Sequence, residues 1–263
     1  MRLFWELSLR SFQRQLTYRA ATLAGLLTNF FFGLLRAAVM VALYGARTQI
    51  AGISLNNAVT YTGLSQAIIG FVSLFSWVEL MNTVYTGSVA TDLLKPMNFY
   101  GFWLAQDLGR AIAQLLLRGL PMMLAYALMF GIPVPGSLDQ WLVVILVLML
   151  AWLVSFSWRF LVNLAAFWVP NALGIARFAF IASFFLSGFF MPLSYYPTWF
   201  SKLCQLTPFP HSVSTVIEVY LGLLQGYDLV VAILFQVCWA ILLIGLGQIV
   251  LRRGVRRLVI LGG

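Results

Sequence analysis

Long apolar runs alternate with short polar stretches along the whole chain. Six of the runs are long enough to cross a hydrocarbon core of about 30 Å as helices. They are residues 20–44, 58–81, 103–130, 138–158, 175–191 and 229–250. The pattern therefore predicts an all-α membrane protein with about six transmembrane helices, folded as a single domain over residues 1–263.

Residues 1–19 precede the first run and carry an amphipathic pattern instead. Apolar residues recur at helical spacing on one face, and charged residues occupy another. The apolar face has Trp5, Leu9, Phe12 and Leu16, and the charged face has Glu6, Arg10 and Arg14. We expect an interfacial helix in the headgroup layer of the membrane. A helix that packs on its own protein is the alternative.

Residues 192–226 break the apolar pattern a second time, between the fifth and sixth runs. The stretch SYYPTWFSKLCQLTPFPHS contains three prolines, so it cannot be an uninterrupted spanning helix. Its aromatic density is typical of the headgroup belt. We expect an interfacial segment with a short helix that lies on the membrane or dips into it.

Composition and charge agree with a membrane protein. Hydrophobic residues make up 62% of the chain and charged residues 9%, too few to cover a soluble globule. The net charge of +9 comes largely from Lys and Arg at the ends of apolar runs, so membrane topology explains it better than nucleic acid does. With six alternating helices, most of these cations fall on the side of both termini. The positive-inside rule makes that side cytoplasmic and residues 192–226 extracellular.

No arrangement of residues typical of an enzyme or a metal site occurs in the sequence. It has no carboxylate pair, no nucleophile beside a histidine and no glycine-rich phosphate loop. Cys204 and Cys238 form no metal-binding spacing. The lone His211 is interpreted as a turn or interface residue, and a metal or proton-relay role is the less favoured alternative. We expect no catalytic site, no metal and no cofactor in this chain.

Charged residues within or next to the apolar runs are informative, because a charge in a span is costly and faces protein or water. Glu79 ends the second run, and Asp107 and Arg110 begin the third, so antiparallel packing predicts a structural charge clamp. Arg118 shares a face with Arg110 and lies deeper. It either pairs with a neighbouring helix or lines an anion-attracting path. Arg36 is expected to snorkel to the outer face.

Several stretches, in their order and spacing, resemble the ABC-2 type permeases. They are GSVATDLLKPMN after the second run, LSGFFMPLSYYPTWF at the end of the fifth, LTPF, VYLG before the sixth, and the arginine-rich tail that ends in LGG. The resemblance covers nearly the whole chain. It implies cytoplasmic ABC ATPase subunits as partners, which bind ATP and Mg, and a second permease that is identical or related. Membrane lipids surround such a protein, and no nucleic acid partner is expected.

The resemblance makes residues 86–98 a cytoplasmic coupling segment, with a coupling helix at about residues 87–95 that docks in a cleft of the ATPase. The candidate contact residues are Gly87, Val89, Asp92, Leu93, Leu94, Lys95 and Pro96. The charged pair offers polar contacts, the valine and leucines offer an apolar anchor, and the proline ends the helix. An ordinary interhelical loop is the alternative.

The resemblance also makes residues 192–226 a re-entrant cap over the exit of the pathway. The candidate outer gate consists of Leu186, Gly188, Phe189, Phe190 and Met191. The glycine would allow close helix approach. Interior packing is the competing explanation for these residues.

The resemblance therefore implies a permease subunit of an ATP-driven exporter in the cell membrane of a bacterium. Its substrate would be amphipathic, lipid-like, drug-like or polymeric. An ion-coupled secondary transporter is one alternative, but it needs intramembrane carboxylates, and Glu79 and Asp107 are poorly placed for that role. A membrane scaffold or assembly protein that transports nothing is the other.

Overall fold

The computed structural model describes residues 2–74, 77–169 and 171–257, and about four fifths of the chain is helical. The helices are α1 (Arg2–Thr17), α2 (Arg19–Tyr44), α3 (Leu55–Val72), α4 (Glu79–Tyr85), α5 (Val89–Leu93), α6 (Phe99–Gln114), α7 (Leu120–Phe130), α8 (Leu138–Asn163), α9 (Leu173–Leu186), α10 (Thr198–Gln205), α11 (Ser214–Tyr220) and α12 (Gly226–Val255). A π-helical turn, Leu115–Gly119, joins α6 to α7, and a two-residue hairpin pairs β1 (Gln49–Ile50) with β2 (Ile53–Ser54).

Four helical stretches among the described residues are long and apolar enough to span a membrane. They are Arg19–Tyr44, Phe99–Phe130, Leu138–Phe167 and Gly226–Val255. The apolar helix α9 is shorter, and α3 has 18 residues but carries many polar side chains. The predicted all-helical membrane fold is confirmed, and the total of six spans stays a prediction.

Helix α3 is more enclosed than any other helix of more than ten residues in the described part of the chain. From Ala58 to Val72 every residue except Gly70 is buried. The helix packs against α2, α6, α7 and α8, so it contacts protein on all sides. Because protein encloses α3, the helix can carry polar side chains whose exposure to lipid would be costly.

The second apolar run does not form one helix, so the predicted span over residues 58–81 is wrong at its end. Helix α3 stops at Val72, where Ser73 adopts a left-handed conformation with φ of 48°. The Leu74 amide then donates to Ile69 O at 3.3 Å, and Ser155 Oγ donates to Val72 O at 2.5 Å. These bonds satisfy carbonyls that a continuing helix would have used. Glu79 consequently begins α4 instead of ending a span.

The connection predicted over residues 159–174 is wrong in its first half. Helix α8 continues to Asn163 and is followed by the 3₁₀ turn Leu164–Phe167. Arg159 therefore lies inside the helix and is buried. Helices α6 and α9 also begin before their predicted starts, at Phe99 and Leu173.

The helices α1, α4 and α5 and the last turns of α12 lie at one end of the bundle, called here the α1 end. Helix α1 packs along α6, with Ser8 Oγ donating to Ala105 O at 2.8 Å and Ser11 Oγ donating to Gln106 O at 2.6 Å. Its serine face thus contacts protein, whereas the side chain of Trp5 is 62% exposed. The predicted helix is confirmed, and its position in the headgroup layer stays a prediction.

The opposite end, called the α11 end, holds the hairpin and residues 187–225. Helix α11 packs on α8, and Tyr61 OH of α3 donates to Gly188 O at 2.8 Å. Gln236 Nε2 of α12 donates to His211 O at 2.8 Å. Residues 192–226 thus fold into short helices and turns over this end, and their re-entrant insertion into a membrane stays a prediction.

Candidate functional site

A buried ion cluster centred on Asp107 joins α6 to α8 and α3. Arg159 donates from Nη1 to Asp107 Oδ1 at 3.0 Å and from Nη2 to Oδ2 at 2.9 Å. Arg110 donates to Oδ1 from Nε at 3.0 Å and from Nη2 at 2.8 Å, and Trp152 Nε1 donates to Oδ2 at 2.8 Å. Arg110 also donates to Gly70 O on α3 at 3.0 Å. The carboxylate is therefore fully enclosed by donors, and the cluster keeps one excess positive charge.

The cluster corrects the predicted composition of the charge clamp. Asp107 and Arg110 do meet, as expected, but the second cation is Arg159, which the sequence pattern had placed in a connection. Glu79 lies outside the cluster and approaches Arg14 of α1 at 3.9 Å, with both side chains about half exposed. The exposed pair contributes little to stability.

Asn163 ties the segment before α4 to this cluster. Its side chain accepts from the Met81 amide at 3.0 Å and donates to Trp77 O and Arg159 O, both at 2.8 Å. The Trp77 ring also lies 5.4 Å from the Arg159 guanidinium. The start of α4 is thus held by the same side of α8 that holds Asp107.

The predicted coupling segment contains the short helix α5 and presents its leucines in opposite directions. Val89 is fully buried and Leu93 packs beside it, in an apolar cluster with Leu80. Leu94 is 85% exposed. Gly87, with φ of 75°, allows the turn that leads into the helix.

The polar residues of this segment bond to each other and to the bundle. Lys95 Nζ lies 2.5 Å from Asp92 Oδ1 and 3.6 Å from the centre of the Phe102 ring. The Asp92 side chain is only 12% exposed. Pro96 follows at an exposed position, before α6 begins. Gly87, Leu94 and Pro96 are therefore the exposed candidate contact residues, and Leu94 is the one with a large apolar side chain.

The candidate gate residues form a tight turn after α9. Gly188 has φ of 74°, and a Cβ there would lie 2.2 Å from Ser214 Oγ. Phe189 is buried and Phe190 is 40% exposed. Leu186 is the last residue of α9, and Met191 packs against the cluster that contains Tyr44. The structure thus brings these five residues together at the α11 end.

Arg36 holds this turn and does not snorkel, so that prediction is wrong. Its Nη2 donates to Phe189 O and to Phe190 O, the latter at 2.9 Å, and its Nη1 donates to Ser65 Oγ at 3.0 Å. The guanidinium also lies 4.6 Å from the centre of the Phe189 ring. Backbone carbonyls inside the protein thus replace the solvent that a snorkelling arginine seeks.

Arg36 and Arg118 both line a cavity of about 520 Å³ between α2, α3, α9 and the π-helical turn. The remaining lining residues are Gly25, Thr28, Asn29, Phe32, Gln66, Phe184, Phe189 and Phe190. Arg118 Nη2 donates to Ala21 O at 2.9 Å, and its guanidinium occupies the space that the missing side chain of Gly25 leaves. Neither arginine forms an ion pair with a carboxylate in the described part of the chain.

A sequence profile of the ABC-2 family transporter proteins matches residues 30–262. The chain belongs to the ABC-2 transporter family. No similar protein is found among curated sequences. Membership makes the chain a multi-pass membrane permease of an ABC transporter and implies association with ABC ATPase subunits. Permeases of this family are generally transport subunits without a catalytic site.

A second cavity of the ABC-2 permease, of about 550 Å³, lies at the α11 end and contains titratable groups. Burial raises the pKa of the Glu218 carboxyl to about 7 and lowers the pKa of His211 to about 4. Asp228 and Lys202 also line this cavity. His211 accepts or donates one side-chain hydrogen bond, to Thr215 Oγ1 at 3.4 Å. It lines the same cavity as Glu218 and Asp228, but the described residues hold no metal-binding group of three or more.

Sequence reasoning missed three features of the permease: the place of Arg159 in the ion cluster, the link through Asn163 and the position of Glu218. The first two features had a weak signal in the sequence. A charged or amide residue next to an apolar run can lie within the helix that this run forms. Glu218 had a similar signal, as a lone acidic residue in the apolar stretch VSTVIEVYLG.

Proposed function

We propose that this chain is the permease subunit of an ATP-driven ABC exporter, with ATP and Mg bound by separate ATPase subunits. In this proposal the α1 end faces the cytoplasm, with both termini, and the α11 end faces the outside. A second permease, identical or related, completes the pathway, and the membrane is that of a bacterial cell. One observation carries the proposal: α5 is anchored inside the bundle by Val89 and presents Leu94 outwards at the end proposed to meet the ATPase.

The contacts behind α5 offer a route for motion from the ATPase into the spanning helices. Val89 and Leu93 pack in the cluster that contains Trp77 and Phe160. Asn163 and Arg159 bind the Trp77 region to α8, and Asp107 continues the link to α6. A push on α5 is therefore transmitted through packed side chains and hydrogen bonds to two helices, which suits a rigid-body change between inward-open and outward-open states.

The orientation of Leu94 refines the coupling proposal. Asp92 is bonded to Lys95 within the protein, so a charge change there would disturb α5 itself. An isolated exposed leucine on a short, anchored helix is suited to fill an apolar pocket of a partner. We therefore assign the main apolar contact to Leu94, and Gly87 and Pro96 to the turns that shape the segment.

A matched pair of substitutions at Leu94 tests this assignment. In a permease co-expressed with its ATPase, Leu94→Asp should abolish co-purification and stimulated ATP hydrolysis, because it places a charge in the apolar contact. Leu94→Met should preserve both, since it keeps an apolar side chain of similar volume. Equal membrane levels of both variants are the control. Unchanged hydrolysis and transport in Leu94→Asp would contradict the assignment.

The turn at residues 186–191 is proposed as the outer gate. Phe189 and Phe190 line the cavity from the α11 end, and Arg36 bonds to the carbonyls of both. Replacing Phe189 with Ala should alter efflux and leave ATPase docking intact. Transport and substrate-stimulated hydrolysis at normal rates in this variant would favour a packing role instead.

The Asp107 cluster favours an ATP-driven permease over an ion-coupled transporter. An ion-coupling carboxylate must be free to bind a proton or a metal ion during each cycle. Asp107 instead accepts hydrogen bonds from three side chains, two of which are cationic. Transport by reconstituted vesicles should follow ATP and not an ion gradient.

A further inference from the structure

The cavity between α2 and α9 differs from the rest of the bundle in its charge. Arg110 and Arg159 share the carboxylate of Asp107. Arg36 and Arg118 face one cavity without a carboxylate partner among the described residues, and the Nε atoms of both are buried without a hydrogen-bond partner. A low-dielectric cavity with two such cations attracts an anion.

The cavity is also elongated, and most of its lining surface is apolar. Gly25, beside Arg118, and Arg36 lie 11 residues apart on one face of α2, which corresponds to about 16 Å along the helix axis. Between them Phe32 lines the wall, and Phe184 faces it from α9. A volume of about 520 Å³ is in the range of small-molecule sites. An apolar chain can thus lie between the two cations.

Arg36 and Arg118 differ in how many of their N–H donors form hydrogen bonds within the protein. Arg36 donates from both Nη atoms to protein groups, the carbonyls after α9 and Ser65 Oγ. Arg118 makes one hydrogen bond, from Nη2 to Ala21 O at 2.9 Å. Most of the donors of Arg118 therefore remain for a ligand, and a planar guanidinium is well suited to phosphate or carboxylate oxygens.

We propose that this cavity binds an anionic amphiphile, with its phosphate or carboxylate headgroup on Arg118 and its apolar chain along Phe32 towards Arg36. The site would define the cargo class of the exporter, and in that respect it rests on the proposed function. Binding itself requires no ATPase. The polar side chains of Thr28 and Asn29 lie on the same face of α2 and line the cavity.

Native mass spectrometry of the purified permease in a neutral maltoside detergent tests the site. Phosphatidylglycerol and phosphatidylcholine with identical chains differ in net charge, so phosphatidylglycerol should bind at least about tenfold more tightly. Dodecyl phosphate should compete with it, and inorganic phosphate should not. Arg118→Gln should remove the preference, Arg118→Lys should retain part of it, and the matched control Arg177→Gln, an exposed arginine of α9, should retain all of it.

A second variant keeps the test decisive if Arg118→Gln does not fold. Phe32→Ala leaves the bonds of Arg118 in place and removes part of the chain-binding wall, so it should weaken binding of both anionic probes. Equal binding of the two phospholipids by the unaltered permease would overturn the proposal. The proposal would also be overturned if Arg118→Gln kept the preference for phosphatidylglycerol. It would be overturned too if Arg118→Gln dissociated a permease dimer, because Arg118 would then belong to a subunit contact.

Reconstitution with the ATPase separates the two sources of an anionic amphiphile. If cargo occupies the site, dodecyl phosphate should stimulate ATP hydrolysis in an Arg118-dependent manner. If a membrane phospholipid occupies it, phosphatidylglycerol should remain bound and hydrolysis should not respond to dodecyl phosphate. Either result supports an anionic site, and the second overturns its role in defining the cargo class. Loss of hydrolysis in Leu94→Asp concerns the proposed function alone, because the binding assay contains no ATPase.

Discussion

Replacing Asp107 with Asn is the most direct test of the buried ion cluster. The substitution keeps the size of the side chain and removes the only negative charge of the cluster. The side chains of Asp107 and Arg159 are 0% and 1% exposed, and that of Arg110 is 12% exposed. Both cations would remain in the protein interior without a counterion.

The expected cost follows from that burial. Removing one partner of a buried ion pair destabilises a protein by about 3–5 kcal/mol, because the remaining charge is left uncompensated. Trp152→Phe removes one donor to the same carboxylate and leaves both cations in place. Its expected cost is about 1.5–3 kcal/mol, the range for a hydrogen bond to a charged group. Asp107→Asn should therefore lower the unfolding temperature by about 6–20 °C, and Trp152→Phe should lower it less.

A thiol-reactive dye can follow this unfolding in detergent. Cys204 is buried and Cys238 is exposed, so the assay is run in a Cys238→Ala background, in which dye reacts when the region around Cys204 opens. Comparable expression and monodispersity at low temperature serve as controls. The stabilising role of the carboxylate would be refuted if Asp107→Asn unfolded at the same temperature as its parent. It would also be refuted if Asp107→Asn unfolded at a higher temperature than Trp152→Phe.

Two further predictions concern packing and pH. A Cβ at Gly109 would lie 1.9 Å from Ser8 O, so Gly109→Ala should detach α1 from α6 and speed tryptic cleavage after Arg14. Gly245→Ala, with open space around it, should leave the rate of digestion unchanged. The pKa of Glu218 rises from 4.5 to about 7 on folding. The protonated carboxyl therefore contributes its full stabilisation below pH 4.5. This contribution falls by up to about 1.4 kcal/mol per pH unit as the pH rises to 7. Glu218→Gln should therefore raise the unfolding temperature at pH 8 relative to its parent and not at pH 4; an equal shift at both values would contradict the burial of this carboxyl.

The overall class of the fold could be predicted from apolar run length, but the ends of the helices could not. Residues 138–158 already suffice to cross a hydrocarbon core, so the pattern placed the boundary before Arg159. The structure extends α8 to Asn163 because Asp107, distant in sequence, neutralises Arg159. A hydropathy pattern contains no information about such a partner.

The coupling segment shows the same division between local and tertiary information. The family resemblance placed a short helix here, and Gly87 and Pro96, which bracket α5, suit its two ends. Five residues are too few for a helical period to indicate a buried face. That Val89 points inwards and Leu94 outwards depends on the packing of Trp77 and Phe160, which no local pattern reports.

The cavity could be predicted least. Arg118 stood out as a deep charge, and the two alternatives left open for it included an anion-attracting path. Arg36 was expected at the outer surface, and its approach to the carbonyls of Phe189 and Phe190 depends on the turn that Gly188 permits. The shared cavity arises from contacts among α2, the π-helical turn and α9, which are far apart in sequence.

The enclosure of α3 has a consequence for how the protein is made. A helix leaves the translocon for lipid when its own residues favour the hydrocarbon phase, yet α3 carries Thr60, Thr62, Ser65 and Gln66 on its buried surface. Ser65 Oγ accepts from Arg36 of α2 at 3.0 Å, and Thr62 Oγ1 lies 3.5 Å from Tyr126 OH of α7, a helix that is synthesised later. Helix α3 should therefore be retained near the translocon until later helices emerge, so that its stable integration depends on sequence that is synthesised after it.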